Sequence, residues 1–177
     1  RNKNAPSAFF VATPFRNNIQ TSVNVWSLTP RAKIPFTTGS VNNTLVAGVD
    51  WDQWNFNSTA GPSVIGNPVS VQRDTAGYFQ NISAFGARTL LSVGGRVQST
   101  GYGVTDQSSL SAAARNVNLR AFEIAVRHKV NSAWDVYGKF GNSFRVPNVN
   151  DIYNLFTATV TILEPQTSHD REIGTNF

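Results

Sequence analysis

The 177 residues contain no cysteine and no methionine. Without cysteine there is no disulfide scaffold and no thiolate metal centre. Because methionine is missing even from position 1, where the chain opens Arg1-Asn2-Lys3-Asn4, we expect a processed or excised piece of a longer polypeptide, with no secretory signal at its start. Long apolar runs are absent as well. The longest, Ala8-Phe9-Phe10-Val11-Ala12, falls far short of the roughly 20 residues a spanning helix needs. That excludes a transmembrane helix but not a transmembrane strand, which needs only about 9–11 residues of alternating character. Charge is sparse: 14% of residues are charged, against 40% hydrophobic and 11% aromatic, which argues against generic disorder.

What is present is a period of two. From Trp26 the even positions read Trp26, Leu28, Pro30, Ala32, Ile34 and Phe36, with Ser27, Thr29, Arg31 and Lys33 between them. Leu45, Ala47, Val49 and Trp51 form a second apolar set, flanked by Asp50 and Asp52. Phe122, Ile124, Val126, His128 and Val130 oppose Glu123, Arg127 and Lys129, and Trp134, Val136, Gly138 and Phe140 oppose Asp135, Tyr137 and Lys139. A strand sorts such residues onto two faces, whereas a helix would mix them around its circumference. The predicted strands are Ser22–Phe36, Thr44–Phe56, Thr75–Phe85, Thr89–Val97, Val117–Val130, Trp134–Phe144 and one from His169 onward, with a further candidate near Ser7–Thr13. Pro30 cannot donate to a ladder and predicts a bulge or local irregularity. No stretch of ten or more residues carries helical spacing.

With these boundaries the connections alternate between short and long. Thr37–Asn43, Gly86–Arg88 and Asn131–Ala133 are short. Asn57–Asp74, Gln98–Asn116 and Arg145–Ser168 are far longer than the usual hairpin loop of about two to five residues. All long loops then leave one end of an antiparallel up-and-down meander of about seven or eight strands. Outer-membrane barrels are built this way, with short turns on one side, long loops on the other, apolar residues out and polar residues in. Trp51, Trp54, Tyr78, Phe79, Trp134, Phe140 and Phe144 fall near strand ends or on the apolar face, as an interfacial aromatic girdle requires.

Five segments resemble the barrel of TonB-dependent outer-membrane receptors. Phe144-Arg145-Val146-Pro147-Asn148-Val149-Asn150-Asp151-Ile152-Tyr153 is similar to the family's FRAPxxxELY stretch and follows Val136–Ser143, which is similar to LYASYSxG. Leu163-Glu164-Pro165-Gln166-Thr167-Ser168 with Glu172-Ile173-Gly174 resembles LKPETSxxxELG, Gln166 replacing the usual Glu. Thr44–Trp51 resembles TLTAGVDY, and Leu91–Val97 resembles LTLGLRYD without its final acid. The five occur in the family's order and cover nearly all the chain from Val23. The resemblance implies part of a transmembrane β-barrel of about 22 strands, all of residues 1–177 being partial barrel with no plug domain. It further implies TonB-dependent uptake of ferric siderophores or similar nutrients across the outer membrane of a Gram-negative cell. The partners it implies are the ferric chelate, TonB through the missing plug, and outer-membrane lipid and lipopolysaccharide. The motif around Glu172 is internal to the family's barrel, so Phe177 is expected to be a cut point within it.

Ligand contact is expected from the long loops and the upper inner wall, with Arg73, Arg96, Tyr102, Arg115 and Arg145 as candidates, because anionic chelates need cations and flat aromatic surfaces. Arg145 doubles as a fold residue of its motif. No catalytic residue, metal site or cofactor is expected. Asp50 and Asp52 sit on one strand face at a separation of about 6–7 Å, which a glycosidase could use, but a hydrated barrel interior accounts for both. His128 and His169, the two histidines, belong to no ligand motif, and there is no nucleophile elbow, P-loop or dinucleotide fingerprint. The basic pairs are scattered rather than arranged as a stripe, so no nucleic-acid partner is expected. Two other readings stay open on the sequence: a passive porin-like barrel, and a soluble β-sandwich binding carbohydrate through Trp51 and Trp54.

Overall fold

The structure, a computed structural model, describes residues 19–60, 66–154 and 159–177. The candidate strand near Ser7–Thr13 lies outside these residues. Among the described residues the chain forms ten strands and one four-residue helix: β1 (Ile19–Leu28), β2 (Arg31–Thr38), β3 (Val41–Ala60), β4 (Pro68–Phe85), β5 (Thr89–Asp106), β6 (Ala112–Lys129), β7 (Asp135–Arg145), α1 (Val149–Ile152), β8 (Tyr153–Asn154), β9 (Thr159–Val160) and β10 (Gln166–Asn176). Eight strands form one sheet in the order β1-β3-β4-β5-β6-β7-β10, with β2 also paired to β3. Every pairing is antiparallel. The sheet is open, with β1 and β2 at one edge and β10 at the other. The described residues thus form one sheet with a small β8–β9 ribbon, and the two packed sheets of a sandwich are not found.

Pro30 interrupts what is otherwise a single long strand. Leu28 pairs with Trp51 and Arg31 with Gly48, so the register does not shift across the gap. The Val49 N–H still donates to the Pro30 carbonyl at 3.2 Å. The irregularity is therefore a missing donor rather than an inserted residue.

The seven expected strands are all present, but four of them reach well beyond the expected upper ends. β3, β4, β5 and β6 are 18 to 20 residues long. The connections expected over Asn57–Asp74 and Gln98–Asn116 accordingly shrink to residues 61–67 and 107–111. At the other end the chain turns through Gly39-Ser40, Gly86-Ala87-Arg88 and residues 130–134. Gly39 and Gly86 take φ of +60° and +61° there, a conformation that costs glycine little. The contrast in loop length survives mainly in the β7–β10 connection, residues 146–165, which carries α1, β8 and β9.

Paired residues share a face, so the registers assign every strand side chain to one of two sides. One side carries Ile34, Leu45, Val49, Trp51, Phe79, Leu91, Val93, Val97, Phe122, Ile124, Val126 and Phe140 near the short turns. The other carries Asp50, Asp52, Asp74, Arg96, Glu123, Arg127, Lys139 and Glu172. On β5 the apolar band covers Thr89–Val97. At about 3.4 Å per residue and a tilt near 40°, that is about 23 Å, close to the apolar height of an outer-membrane barrel. The upper halves of these strands project about as far again beyond the band.

Candidate functional site

The polar face is a continuous hydrogen-bonded surface. Arg96 of β5 reaches across β4 to Asp50 of β3, Nη1 to Oδ2 at 2.6 Å, passing 5.9 Å from the centre of the Tyr78 ring. Its Nε donates to Gln98 at 2.9 Å, and Gln98 donates to Asp74 at 3.1 Å. Asp74 also accepts from Thr100 at 2.6 Å and Gln72 at 2.8 Å. Asp52 accepts from the Ser27 hydroxyl. Asp50 and Asp52 are thus held by separate partners, as wall residues would be, and do not converge on a common site. Lower down, Lys139 pairs with Glu123 at 2.8 Å, and Arg127 pairs with Asp135. The strand residues of this face carry eight cations and eight carboxylates, so the net charge of +5 is not concentrated on it.

Above this network the β7–β10 connection folds down onto the polar face. Tyr102, Val104, Ile152 and Tyr153 form a buried cluster flanked by Val117, Val146, Val160 and Ile162. The Tyr102 hydroxyl donates to the Leu163 carbonyl at 2.7 Å. Tyr153 packs so closely on Gly66 that a Cβ there would stand 1.6 Å from its hydroxyl oxygen. Burial, helped by the nearby Asp106 carboxylate, raises the Tyr153 phenol above its ordinary value. Asp106 closes β5: its carboxylate accepts from the backbone N–H groups of Asn67 (2.9 Å), Ser108 (3.0 Å) and Ser109 (3.3 Å) and from the Ser109 hydroxyl (2.6 Å). Burial acts to raise this carboxyl, but the four donors overcome it and hold it below the usual carboxylate range.

The five candidate residues therefore fall into different settings. Arg96 lies on the polar wall, half-exposed. Arg115, on the same face beside Tyr102, forms an ion pair with Glu164 of the β7–β10 connection. Arg145 pairs with Asp151 at 2.7 Å, and that carboxylate also accepts the Asn148 N–H at 2.9 Å, so the arginine braces the turn within its own motif. Tyr102 is only 3% exposed, covered by that connection. Arg73 departs from the expected inner wall. It shares its face with Gln53, to which it donates at 3.1 Å, and with Phe79, and so stands on the apolar side of the sheet. Its even spacing from Phe79 was the sequence signal for this.

Of the aromatics expected near strand ends or on the apolar face, Trp54 and Tyr78 stand on the polar face, while Trp51, Phe79, Phe140 and Phe144 stand on the apolar one. Asp106 escaped the sequence reading because Gln98–Asn116 read as loop. Its only trace was Asp106-Gln107-Ser108-Ser109, a sequence suited to side-chain capping of a turn.

Among the described residues there is no cluster of three or more His, Asp or Glu side chains able to hold a metal. No helix is long and apolar enough to cross a membrane, which says nothing about crossing by strands.

Comparison with known proteins places this geometry. A family model described as TonB dependent receptor-like, beta-barrel matches residues 1–177. Among solved structures, the unliganded ferric citrate transporter FecA superposes with a TM-score of 0.73 at 15% identity, over 90% of this chain and 26% of that one. The alcaligin outer-membrane receptor FauA from Bordetella pertussis gives 0.74 at 13% identity, over 90% and 27%. The siderophore receptor PiuA from Acinetobacter baumannii gives 0.72 at 13%, over 89% and 29%. The chain thus spans about a quarter of the length of these structures, and at such identities the likeness is one of fold. No curated protein matches it in sequence.

Proposed function

The chain belongs to the TonB-dependent receptor-like β-barrel family, and from that premise we propose that it forms wall and outer ligand-capturing surface of a receptor importing a ferric siderophore or similar anionic chelate. The observation that carries this reading is the two-sided sheet. An apolar band about one bilayer tall backs a wall of paired charges, and a folded connection caps that wall at the end away from the short turns. The apolar side would face outer-membrane lipid and the polar side a water-filled lumen. The parent receptor would draw its energy from TonB through a plug domain. The reading assigns no bond-making step to these residues.

For ligand contact we favour Arg96, Arg115 and Arg145. Their side chains keep 31%, 34% and 53% of their surface exposed, and each is paired with a carboxylate that an anionic chelate would have to displace. Tyr102 would join them only if the β7–β10 connection lifted from it, and Arg73 faces the other way.

The test uses the full-length parent protein in a Gram-negative strain stripped of its own siderophore receptors. Uptake of 55Fe should appear for at least one chelate class and vanish when TonB is deleted. TonB-independent, non-saturable permeation would support a passive pore instead.

A further inference from the structure

Neighbouring strands β3, β4, β5 and β6 stay paired over nearly their full lengths, but the seam between β6 and β7 does not. Of the 18 residues of β6 only the eight from Phe122 to Lys129 pair with β7. Above Asn142, β7 continues beside β10 as far as Arg145. Over Ala112–Ala121, β6 continues beside β5 alone. The wall is therefore split in its upper half.

The seam parts where the lipid ends. On the outer face β6 reads His128, Val126, Ile124 and Phe122 upward, and then Arg120, Asn118 and Asn116. Within hydrocarbon every backbone N–H and C=O has to be paired, so a barrel can open its wall only above the apolar band.

Backbone parity shows which groups the split leaves open. The Asp106 N–H donates to the Ser111 carbonyl and the Lys129 N–H to that of Arg88, so odd-numbered residues turn their backbone groups toward β5. The Val130 N–H donates to the Trp134 carbonyl, so even-numbered residues turn theirs toward β7. A side chain closes the first two of these. The Phe122 N–H donates to Asn142 Oδ1 at 2.9 Å, and Asn142 Nδ2 donates to the Arg120 carbonyl at 3.1 Å. One carboxamide thus supplies the acceptor and the donor that an adjoining strand would supply. Higher up, the N–H groups of Ala114, Asn116, Asn118 and Arg120 have no ladder partner among the described residues, nor do the carbonyls of the first three.

Little guards this edge. The β7–β10 connection meets β6 from the lumen side, through Glu164 on Arg115 and the apolar cluster on Val117. The outward side chains Ala112, Ala114, Asn116 and Asn118 are short and exposed. Ala112–Ala121 contains neither proline nor carboxylate, although proline and inward-pointing charge are common means of blocking an edge. Its charges are Arg115 and Arg120, and Arg120 has no ion pair among the described residues.

Two occupants are excluded by geometry. The next strand of the wall is β7 itself, so no further barrel strand belongs in the slot. A second copy fails on direction. β6 runs downward in every copy inserted the same way, whereas a two-fold antiparallel pair of one strand with itself needs opposite directions.

We propose that the upper β6 edge, from Arg120 to Ala112, is a strand-addition site for an extended acidic peptide supplied from outside the cell. Main-chain bonds to alternate residues would provide the affinity, as where a peptide extends a sheet. A carboxylate opposite Arg120 would add a favourable cross-strand pair. The site goes beyond the transport reading and needs only the orientation of the wall across the membrane.

The experiment uses the full-length parent protein in nanodiscs and, as probe, a ten-residue peptide alternating Glu with Thr. Comparators are the same peptide N-methylated at every second residue, in either phase, and its Lys-for-Glu analogue. The plain peptide should bind saturably. One N-methyl phase and the Lys analogue should each weaken binding at least tenfold, while the other phase leaves it unchanged. Binding should slow hydrogen exchange at Ala114, Asn116, Asn118 and Arg120 but not at Ala113, Arg115, Val117 and Leu119, whose amides face β5. Asn118→Pro removes an edge donor without touching the β5 ladder and should cost about tenfold, and Arg120→Gln about threefold. If the proline variant does not assemble, the N-methyl comparison on the wild type decides. No saturable binding, equal affinity of the two N-methyl phases, or equal slowing at odd and even residues would overturn the proposal. So would protection of the even-numbered amides before peptide is added, because the parent protein would then fill the slot itself. Loss of TonB-dependent uptake with the alternating protection intact would sink the transport reading and leave the strand site standing.

Discussion

Asp50 and Arg96 form an ion pair at 2.6 Å although a whole strand separates them. The arginine lies against Tyr78 on the strand between. Three strands are thereby tied at one level by side chains as well as by the ladder. In a double-mutant cycle on the full-length protein, Asp50→Asn and Arg96→Gln should show a coupling of about 1 kcal/mol. Urea unfolding in detergent checks it, and additive losses would refute the tie.

Close packing across strands makes one glycine indispensable and leaves a neighbour free. A Cβ at Gly48 would lie 2.7 Å from the Tyr78 hydroxyl and 2.8 Å from the Pro30 carbonyl, while one at Gly77 meets nothing within 4 Å. Gly48→Ala should cost about 1–3 kcal/mol and Gly77→Ala should be neutral or mildly stabilising. Thermal unfolding of the two variants side by side measures the difference.

Sidedness can be tested at adjacent positions. Ile124 stands on the apolar face and Ala125 on the polar one. Ile124→Arg should reduce stability by about 2–4 kcal/mol if it sits near the bilayer centre, whereas Ala125→Asn should assemble normally. Folded yield in the outer membrane, read by heat-modifiable gel mobility, separates them, and equal yields would reverse the assignment of faces.

The Asp106 carboxyl is held below its ordinary value by donors from two loops. A lowered folded pKa means that its contribution is complete above the unfolded value, about 3.9, and disappears as pH falls through the folded one. Protection of the Asn67, Ser108 and Ser109 amides, taken relative to their intrinsic exchange, should therefore be high at neutral pH and decline below about pH 4. Asp106→Asn should lower it at pH 7, by the equivalent of about 1–3 kcal/mol, and flatten the pH dependence. Unchanged protection would show that these loops are held by something else.

The sequence was most informative where membrane and lumen impose opposite chemistry on alternate residues. Phe122, Ile124 and Val126 against Glu123 and Arg127 mark both a strand and its faces. Above the band the outer face no longer meets lipid, so that contrast fades. Ser99–Thr105 and Ala112–Asn116 are strand in the structure but read as loop in the sequence, because small residues dominate them, and Val69–Arg73, also strand, alternates only through Val69 and Val71, too short a run to mark a strand. The site was less legible, for a different reason. Arg96 and Asp50 are 46 residues apart, and Arg115 and Glu164 are 49 apart, so their pairing depends on register, which no local pattern specifies. Arg73 shares its parity with Thr75, Gly77 and Phe79, and carrying the alternation past Thr75 would have placed it on the apolar side.

Asp106 holds the backbone N–H of Asn67 from the β3–β4 loop together with its own β5–β6 turn, and Tyr153 of the β7–β10 connection rests on Gly66 beside it. The three upper connections are therefore geared together at a single carboxylate. A molecule that lifted the longest of them would slacken the other two, so capture at the rim would register as one concerted movement of the mouth rather than as the bending of a single flap.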